Sequence, residues 1–345
     1  MLDFYDNAPV PPDHLVDRVT SFQAGEDREA VVASFLETGQ RSVRDLEAVL
    51  ATVDKTLLDF ESILEFGSGC GRIMRWLGPV GAKSELHGCD IDEEAMTWSN
   101  ENLDFARFAV NPAEPPLPYE DDTFDLVFNH SVFTHIDERM QDLWLAELLR
   151  VTKPGGLVLA TVHGEIVLQQ IEDGAATTGE SLYGWREQLE SRGIVFIADD
   201  GYVGSWFPDF YHTTIHAPWY VFEHWGSSGF SVRAYLPRRA LDIQDYVVLE
   251  RPLEGQAATP KHPIRPSTEL SEAPAAAAGG AGSGAGGQEA AQEDRLDRIE
   301  AALRMPPLVR HVIDLQADRI NRIESGLRAE LDELRAMLKD SLDRQ

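Results

Sequence analysis

The sequence ILEFGSGCGR, from Ile63 to Arg72, decides the fold of this chain. A short apolar run followed by glycine at every second position, Gly67, Gly69 and Gly71, predicts a buried strand, a tight turn and a helix that begins at Arg72. Glycines remove side chains where the backbone bends sharply and where a ligand must come close. The first turn of a helix presents free N–H groups to such a ligand. The stretch therefore predicts a loop that binds something small and partly anionic.

The composition of the 345-residue chain limits its partners and its setting. A formal net charge of −29 gives a surface that repels phosphate backbones and anionic lipids, so we expect no nucleic-acid partner. No apolar stretch reaches the ~18 residues of a membrane span, and the opening sequence MLDFYDNAPVPPDH lacks the basic and apolar regions of a secretion signal. The two cysteines, Cys70 and Cys89, suit a reducing compartment. We therefore expect a cytoplasmic protein with no integral membrane segment.

The sequence up to Asp59 is helical in pattern and precedes the first strand. We expect a helical cap over residues 1–59, with helices at 13–19, 26–36 and 42–53 that are interrupted at Gly25 and Gly39. From Ser62 the alternation of strands and helices indicates a parallel sheet covered by helices. The predicted strands are 62–66, 85–89, 105–110, 124–129 and 157–162, and the predicted helices are 72–77, 93–103 and 141–151.

The chain after Thr177 has a weaker pattern. It predicts a helix over 180–192, a strand over 194–198, an aromatic, histidine-rich segment without a clean period over 201–219, and two antiparallel strands over 230–236 and 246–249. Residues 60–253 are therefore expected to form an α/β domain. Its sheet is predicted to be Rossmann-like, doubly wound, mostly parallel and seven-stranded, with an antiparallel hairpin at its end.

The C-terminal part indicates a linker followed by a helix. Residues 254–290 contain prolines and then EAPAAAAGGAGSGAGG, which has little to bury and predicts a flexible linker. Residues 291–345 repeat apolar positions at spacings of three, four and four, which predicts an amphipathic, coiled-coil-like helix. Its polar face mixes both charges, so we expect it to bind another helix, in a homo-oligomer or on a partner protein, rather than a membrane.

Asp90 ends the predicted second strand, one strand-helix-strand unit after the glycine loop. A carboxylate at that place can accept both ribose hydroxyls of a nucleoside cofactor. The loop reads G-x-G-x-G and has Arg72 where the dinucleotide fingerprint has its third glycine or alanine, and this departure argues against NAD or FAD. The alternative is that Asp90 only caps the helix that follows Asp92.

Four motifs over residues 62–162 resemble, in the same order, those of class I S-adenosylmethionine-dependent methyltransferases. They are an acidic residue before the glycine loop, Asp90, the segment VNPAEPPLPYEDDTFDLVF (110–128) with NHSVFTHI (129–136) after it, and LLRVTKPGGLVLAT (148–161). The resemblance implies S-adenosylmethionine as the cofactor and a transfer that needs no metal or covalent nucleophile. The cofactor-binding residues that it implies are Glu65, Gly67, Ser68, Gly69, Gly71, Asp90, Ile91, Asn111, Ala113 and Asn129.

A hydroxyl acceptor must lose a proton, so we expect a base on the loops that follow the strands. Histidine suits this work because its ordinary pKa lies near neutrality. The candidate catalytic residues are His135, His163, His212 and His216. Packing or cofactor ordering is the alternative for His135, and structural hydrogen bonding is the alternative for His212 and His216. The last two also have metal-ligand spacing, but Pro218 disfavours a helix there, and we expect no metal.

One subgroup of these methyltransferases shares the sequences FGSGCGR and SVFTH. It also shares a Gln-Asp pair, here Gln244 and Asp245, that opens the last strand. That subgroup is associated with sugar or polysaccharide modification, so the resemblance implies O-methylation of a glycan or another small-molecule hydroxyl. Aromatic residues between 206 and 220 are candidates for an acceptor pocket or for core packing. The alternatives are an N-methyltransferase or aminopropyl transferase, and a noncatalytic cofactor-binding scaffold in a cell-surface assembly pathway.

Overall fold

A central sheet dominates the computed structural model, which describes residues 7–20, 27–178, 184–198, 210–253 and 255. The strands of the chain are β1 (Ser62–Phe66), β2 (Glu85–Asp90), β3 (Ala106–Val110), β4 (Phe124–Phe128), β5 (Thr152–Val162), β6 (Ile194–Ile197), β7 (Thr213–His216), β8 (Ser231–Ala240) and β9 (Gln244–Glu250). Seven of them form one sheet in the order β3-β2-β1-β4-β5-β9-β8. Strands β1 to β5 run parallel, and β9 is antiparallel to both β5 and β8. The predicted mostly parallel seven-stranded sheet with an antiparallel final hairpin is therefore confirmed.

Helices cover both faces of this sheet. They are α1 (Asp13–Val19), α2 (Arg28–Ala51), α3 (Gly78–Gly81), α4 (Glu93–Asn102), α5 (Glu138–Val151), α6 (Glu165–Thr178), α7 (Trp185–Arg192) and α8 (Pro218–His224). Within the described ranges, no helix combines the length and the apolar character needed to cross a lipid bilayer. The predicted linker 254–290, apart from Gly255, and the predicted helix 291–345 lie outside the described residues.

Helix α2 is continuous, so the predicted break at Gly39 is wrong. Gly39 is buried in the middle of the helix, and a Cβ placed on it would lie 2.0 Å from the backbone oxygen of Arg72. Glycine is therefore used here for a close approach of two backbones rather than as a helix terminator. This approach holds α2 directly against the end of the glycine loop.

The predicted helix over 72–77 is also wrong in its first turn. Residues 70–73 form turns, a short 3-10 helix follows at Met74–Leu77, and α3 is only four residues long. Gly71 has a φ of +76°, outside the right-handed helical region, so it belongs to the turn that continues from the loop to residue 73. The loop must therefore hold a ligand by other means than a long helix start.

The histidine-rich segment contains regular structure that its pattern did not predict. Strand β7 pairs antiparallel with β6 in a separate two-stranded sheet, from Ile194 opposite His216 to Ile197 opposite Thr213. Four residues are too few to show a period of two, which explains the missed strand. Residues 199–209 lie outside the described ranges.

The core has two layers because successive residues of a buried strand face opposite sides of the sheet. Ile63 packs with α1 and α2 side chains such as Leu15 and Phe35, whereas Leu64 packs with α5 and with Trp225. All five residues of β1 are buried. Burial of each large apolar side chain contributes roughly 1.5–3 kcal/mol, so this double-sided core holds the carboxyl ends of β1, β2 and β4 in fixed positions.

Candidate functional site

The glycine loop is tied to the end of β2 by its own backbone. The N–H groups of Gly67 and Ser68 both donate to the Cys89 carbonyl, at 2.8 and 3.0 Å. Gly67, Gly69 and Gly71 all have positive φ, which side chains with a Cβ rarely adopt. The loop is therefore fixed in one tight shape at the carboxyl edge of the sheet.

Asp90 holds two loops at once. One carboxylate oxygen, Oδ2, accepts from the N–H of Gly69 at 2.8 Å, and Oδ1 accepts from the N–H of Asp92 at 3.0 Å. Burial raises the pKa of Asp90, and these two backbone hydrogen bonds act against that rise. The cap of α4 is Asp92, whose side chain accepts from the N–H of Ala95. Asp90 is therefore not the helix cap, and it remains directed toward the space above the loop.

One cavity of about 1060 Å³ runs from the glycine loop to the turn before β9. Its wall contains eight of the predicted cofactor residues, namely Glu65, Gly67, Ser68, Gly69, Asp90, Ile91, Asn111 and Ala113. Gly71 and Asn129 lie behind the wall: a Cβ on Gly71 would meet Leu103 at 2.5 Å, and Asn129 is fully buried. The cavity exceeds the usual range for a single small ligand, roughly 300–1,000 Å³, so it has room for a cofactor and an acceptor together.

Several polar atoms in the cavity wall have no hydrogen-bond partner. Glu65 Oε2, Asn111 Oδ1 and Gln244 Oε1 are acceptors, and the ring atom Nδ1 of His130 joins them. Buried polar groups are normally satisfied, so unsatisfied groups around a cavity indicate a ligand. Asn111 donates to the Pro112 carbonyl, which leaves its side-chain oxygen to accept from an amino group such as that of adenine. These donor and acceptor positions fit a nucleoside bearing an amino-acid tail.

Helix α1 lies over the glycine loop. A Cβ on Gly69 would lie 2.6 Å from a methyl group of Val19, and the thiol of Cys70 donates to the Leu15 carbonyl at 3.4 Å. Arg18 makes two hydrogen bonds to Asp92, at 3.0 and 2.8 Å. The sequence indicated a cap but did not identify these contact residues, because nothing in a seven-residue helix shows which of its sides meets the loop.

His135 lines the cavity beside Ser131. Its Nδ1 lies 3.0 Å from the His212 carbonyl, and a carbonyl only accepts, so Nδ1 carries the proton and Nε2 is the basic nitrogen of the ring. Nε2 is 3.5 Å from the Ser131 hydroxyl, which also accepts from Gln244 Nε2 at 2.7 Å. Burial, together with nearby His163, lowers the pKa of His135 well below its ordinary value. The imidazole is therefore neutral at neutral pH.

Ser131 was not identified from the sequence. It follows β4 with a φ of +64°, and its N–H donates to the Thr161 hydroxyl at 2.7 Å. A non-glycine residue at positive φ is uncommon and clusters at functional sites. No sequence signal distinguishes Ser131 from the other polar residues of NHSVFTHI.

The other three candidate histidines do not line this cavity. His163 is fully buried, and burial lowers its pKa to about 4. His216 is also fully buried, its pKa is lowered by burial to about 3, and its Nε2 donates to Gln141 at 3.0 Å. The backbone N–H of His212 donates to the His135 carbonyl, so His212 is connected to the site through its main chain. Within the described ranges no group of three or more histidine, cysteine, aspartate or glutamate side chains is placed to hold a metal ion.

A model of the methyltransferase domain matches residues 64–160, from β1 to β5. A malonyl-[acyl-carrier protein] O-methyltransferase of Halorhodospira halophila is 28% identical over 162 residues, which cover 46% of this chain and 52% of that protein. An uncharacterised methyltransferase of Schizosaccharomyces pombe is 30% identical over 109 residues, 28% of this chain and 38% of that protein. The chain spans about half or less of the length of the curated relatives it matches.

Among solved structures, the 1,6-didemethyltoxoflavin-N1-methyltransferase of Burkholderia thailandensis, with S-adenosylhomocysteine bound, is 14% identical with a TM-score of 0.42, over 71% of this chain and 93% of that chain. The strand order of the chain itself, rather than this likeness, gives the fold. The matched segment contains the glycine loop, Asp90 and Ser131. Residues 64–160 are therefore a methyltransferase domain of the class I, S-adenosylmethionine-dependent kind, and its cofactor is S-adenosylmethionine.

Proposed function

We propose that the chain transfers a methyl group from S-adenosylmethionine to a hydroxyl oxygen of a glycan or another small molecule. The observation that carries this proposal is the single cavity that joins the glycine loop to the Ser131–His135 pair. A cofactor at one end and a proton acceptor at the other end are the two requirements of methyl transfer to a hydroxyl.

The cofactor is assigned to the loop end of the cavity. Asp90 would accept the two ribose hydroxyls, Asn111 and Ala113 would flank adenine, and Glu65 would face the amino-acid end. When bound, S-adenosylmethionine supplies an activated methyl group, and the residues of this chain orient the acceptor and exclude water. Asn129 and Gly71 would support the loop from behind.

The base is assigned to His135, acting at Nε2. Ser131 would pass the acceptor proton to that nitrogen, because its hydroxyl lies between His135 and the donor amide of Gln244. The lowered pKa of His135 keeps Nε2 unprotonated through neutral pH. His163, His212 and His216 would act by holding His135 and β7 in place rather than by contact with the acceptor.

The acceptor class is supported by the other wall of the cavity. Phe210, Tyr211 and Trp144 line it, and Tyr211 stacks on His135 with ring centroids 4.1 Å apart. Aromatic faces of this kind pack well on sugar rings and planar rings. The name of the Halorhodospira relative places its methyl group on oxygen, which favours oxygen chemistry here. The Gln244–Asp245 pair resembles that of the sugar-modifying subgroup, and Gln244 also donates a hydrogen bond to the Ser131 hydroxyl.

Calorimetry tests the cofactor. We expect S-adenosylhomocysteine to bind the chain and NADH to give no heat, because Arg72 replaces the third glycine of the dinucleotide fingerprint. Binding of NADH without S-adenosylhomocysteine would overturn the proposal. Transfer of labelled methyl groups to a panel of glycans, alcohols and carboxylates then tests the acceptor. Methylation of carboxylates alone would contradict the hydroxyl assignment, and no turnover with any acceptor would favour a noncatalytic scaffold.

We further propose that residues 291–345 join copies of the chain or dock it on a helical partner, and that the protein works in the cytoplasm, where the buried thiols Cys70 and Cys89 stay reduced. A chain ending at Gly255 is expected to bind S-adenosylhomocysteine as the full chain does, because among the described residues the cavity wall ends at Gln244. Light scattering should show a lower assembly mass for the shortened chain, and an unchanged mass would remove the oligomerisation proposal.

A further inference from the structure

Two polar atoms in residues of the cavity wall have no role in the function proposed above. They are Oε1 of Gln244 and Nδ1 of His130, and neither has a hydrogen-bond partner among the described residues. Gln244 is 4% exposed and His130 is 8% exposed, so both side chains are almost completely buried. Buried polar atoms are normally satisfied, and unpaired ones beside a cavity indicate a ligand group that completes them.

The amide of Gln244 has only one of its two ends occupied. Its Nε2 donates to the Ser131 hydroxyl oxygen at 2.7 Å. That hydroxyl has a single proton, and His135 Nε2 lies 3.5 Å from the same oxygen, so the proton is directed to the imidazole and the amide is the donor. Oε1 is therefore the free end of Gln244, and a carbonyl oxygen can only accept a hydrogen bond. A ligand group that completes it must carry an O–H or an N–H.

His130 precedes Ser131 in the loop after β4. Burial, with nearby Arg72 and His163, lowers the pKa of His130 well below its ordinary value. The ring is therefore neutral at neutral pH and offers one N–H donor and one acceptor nitrogen. The terminal torsions of histidine and glutamine side chains are broad, so the imidazole and the Gln244 amide can turn their unpaired atoms toward a ligand at little cost.

Both side chains flank Ser131, one along the chain and the other through a hydrogen bond. An acceptor with a single hydroxyl would meet Ser131 and leave Gln244 Oε1 and His130 Nδ1 unpaired after water is displaced. A second hydroxyl on the neighbouring carbon removes this cost, because a hydroxyl is both a donor and an acceptor. Its O–H can bind Gln244 Oε1 while its oxygen accepts from the ring N–H of His130.

We propose that Gln244 and His130 select acceptors in which the reacting hydroxyl has a second hydroxyl on the adjacent carbon, as in a pyranose ring or a catechol. This assignment rests on the proposed transfer to a hydroxyl oxygen, and it narrows the acceptor to vicinal diols. Ser131 holds the oxygen that is methylated, and Gln244 and His130 bind the neighbouring oxygen. They determine specificity, whereas proton transfer is left to Ser131 and His135.

Labelled methyl transfer by the full chain to two matched pairs of probes tests this role: 1,2-cyclohexanediol against cyclohexanol, and catechol against phenol. The wild type is expected to have a kcat/KM at least about 100-fold higher for the diol of one pair or both, because a site built to bind a hydroxyl rejects the analogue without it. His130→Phe and Gln244→Met should each lower that ratio by about tenfold, since each removes one of the two contacts. The matched control is Thr38→Val, which removes a hydroxyl of the cavity wall that already donates to the Ser34 carbonyl at 2.6 Å, and it should leave the ratio unchanged.

Gln244→Met also removes the donor to Ser131, so its activity falls with every probe and the ratio is the measure of recognition. An equal loss of kcat/KM for diol and mono-alcohol in both variants would show a packing or positioning role and overturn the proposal. Equal use of both members of each pair by the wild type would overturn it too, as would a wild type that binds S-adenosylhomocysteine and methylates none of the four probes. The variants change separate positions, so if one does not fold, the other carries the test. Failure of the wild-type chain to bind S-adenosylhomocysteine, or methylation of carboxylates alone, would instead reject the proposed function itself.

Discussion

Replacement of Asp90 by alanine is expected to weaken S-adenosylhomocysteine binding by at least about 100-fold. The variant lacks the carboxylate that would accept two charged hydrogen bonds from the ribose hydroxyls, and such bonds contribute roughly 1.5–3 kcal/mol each. The substitution would also leave the N–H groups of Gly69 and Asp92 without the acceptor that Asp90 provides, so the glycine loop would become more mobile. Titration calorimetry at constant salt measures the loss directly.

The control for this experiment is Asp104→Ala, which removes the same charge from an exposed position outside the cavity. It should bind S-adenosylhomocysteine as the wild type does. A folded Asp90→Ala variant with wild-type affinity would remove the nucleoside site from this end of the sheet. Methyl transfer to any accepted substrate should fall together with binding, because the cofactor is positioned by the same contacts.

Replacement of Glu65 by glutamine is expected to increase the stability of the unliganded protein at alkaline pH while it weakens cofactor binding. Burial raises the pKa of Glu65 to about 8 from an ordinary 4.5; the positive charge of Arg72 acts against this rise, and the nearby carboxylate of Asp90 adds to it. The unfolded chain therefore loses this proton at lower pH than the folded chain. Wild-type stability should fall by roughly 1.4 kcal/mol per pH unit between pH 4.5 and 8 on account of this group, and level off above.

Glutamine has no such proton, so the stability difference between Glu65→Gln and wild type should grow from pH 6 to pH 8.5. Thermal melts across this range measure it, with Glu101→Gln as an exposed, charge-matched control. Parallel curves for variant and wild type would show that Glu65 does not titrate in this range. In calorimetry, Glu65→Gln should lose about tenfold or more in affinity for S-adenosylhomocysteine, because the ammonium loses its charged partner.

The sheet could be predicted from the sequence because its strands are short apolar runs separated by helices with clear caps. Strand β1 was placed at its observed bounds, and the strand at 85–89 extends by a single residue, to Asp90. The central strands β1 and β4 are buried on both faces, apart from half-buried Asp125, so their apolar character does not depend on a period of two. The glycine loop and Asp90 were predictable for the same reason, since both follow directly from the strand ends.

The acceptor side of the site could not be predicted with the same detail. Of the four candidate histidines, only His135 lines the cavity, whereas His216 donates to Gln141 and His163 forms a bridge with Ile215 of β7. Gly39 looked like a helix end because its reason for being glycine, the Arg72 backbone, is 33 positions away along the chain. Contacts between distant segments of this kind leave no local pattern.

The internal hydrogen bonds of the glycine loop have a thermodynamic consequence. Because Cys89 and Asp90 already accept from Gly67, Ser68 and Gly69, the loop reaches its final shape during folding and not on contact with a nucleoside. Preorganisation of this kind removes an ordering cost from association, so more of the interaction energy appears as affinity. The entropy of arranging the binding surface is then lost once, when the chain folds, and not in every catalytic cycle.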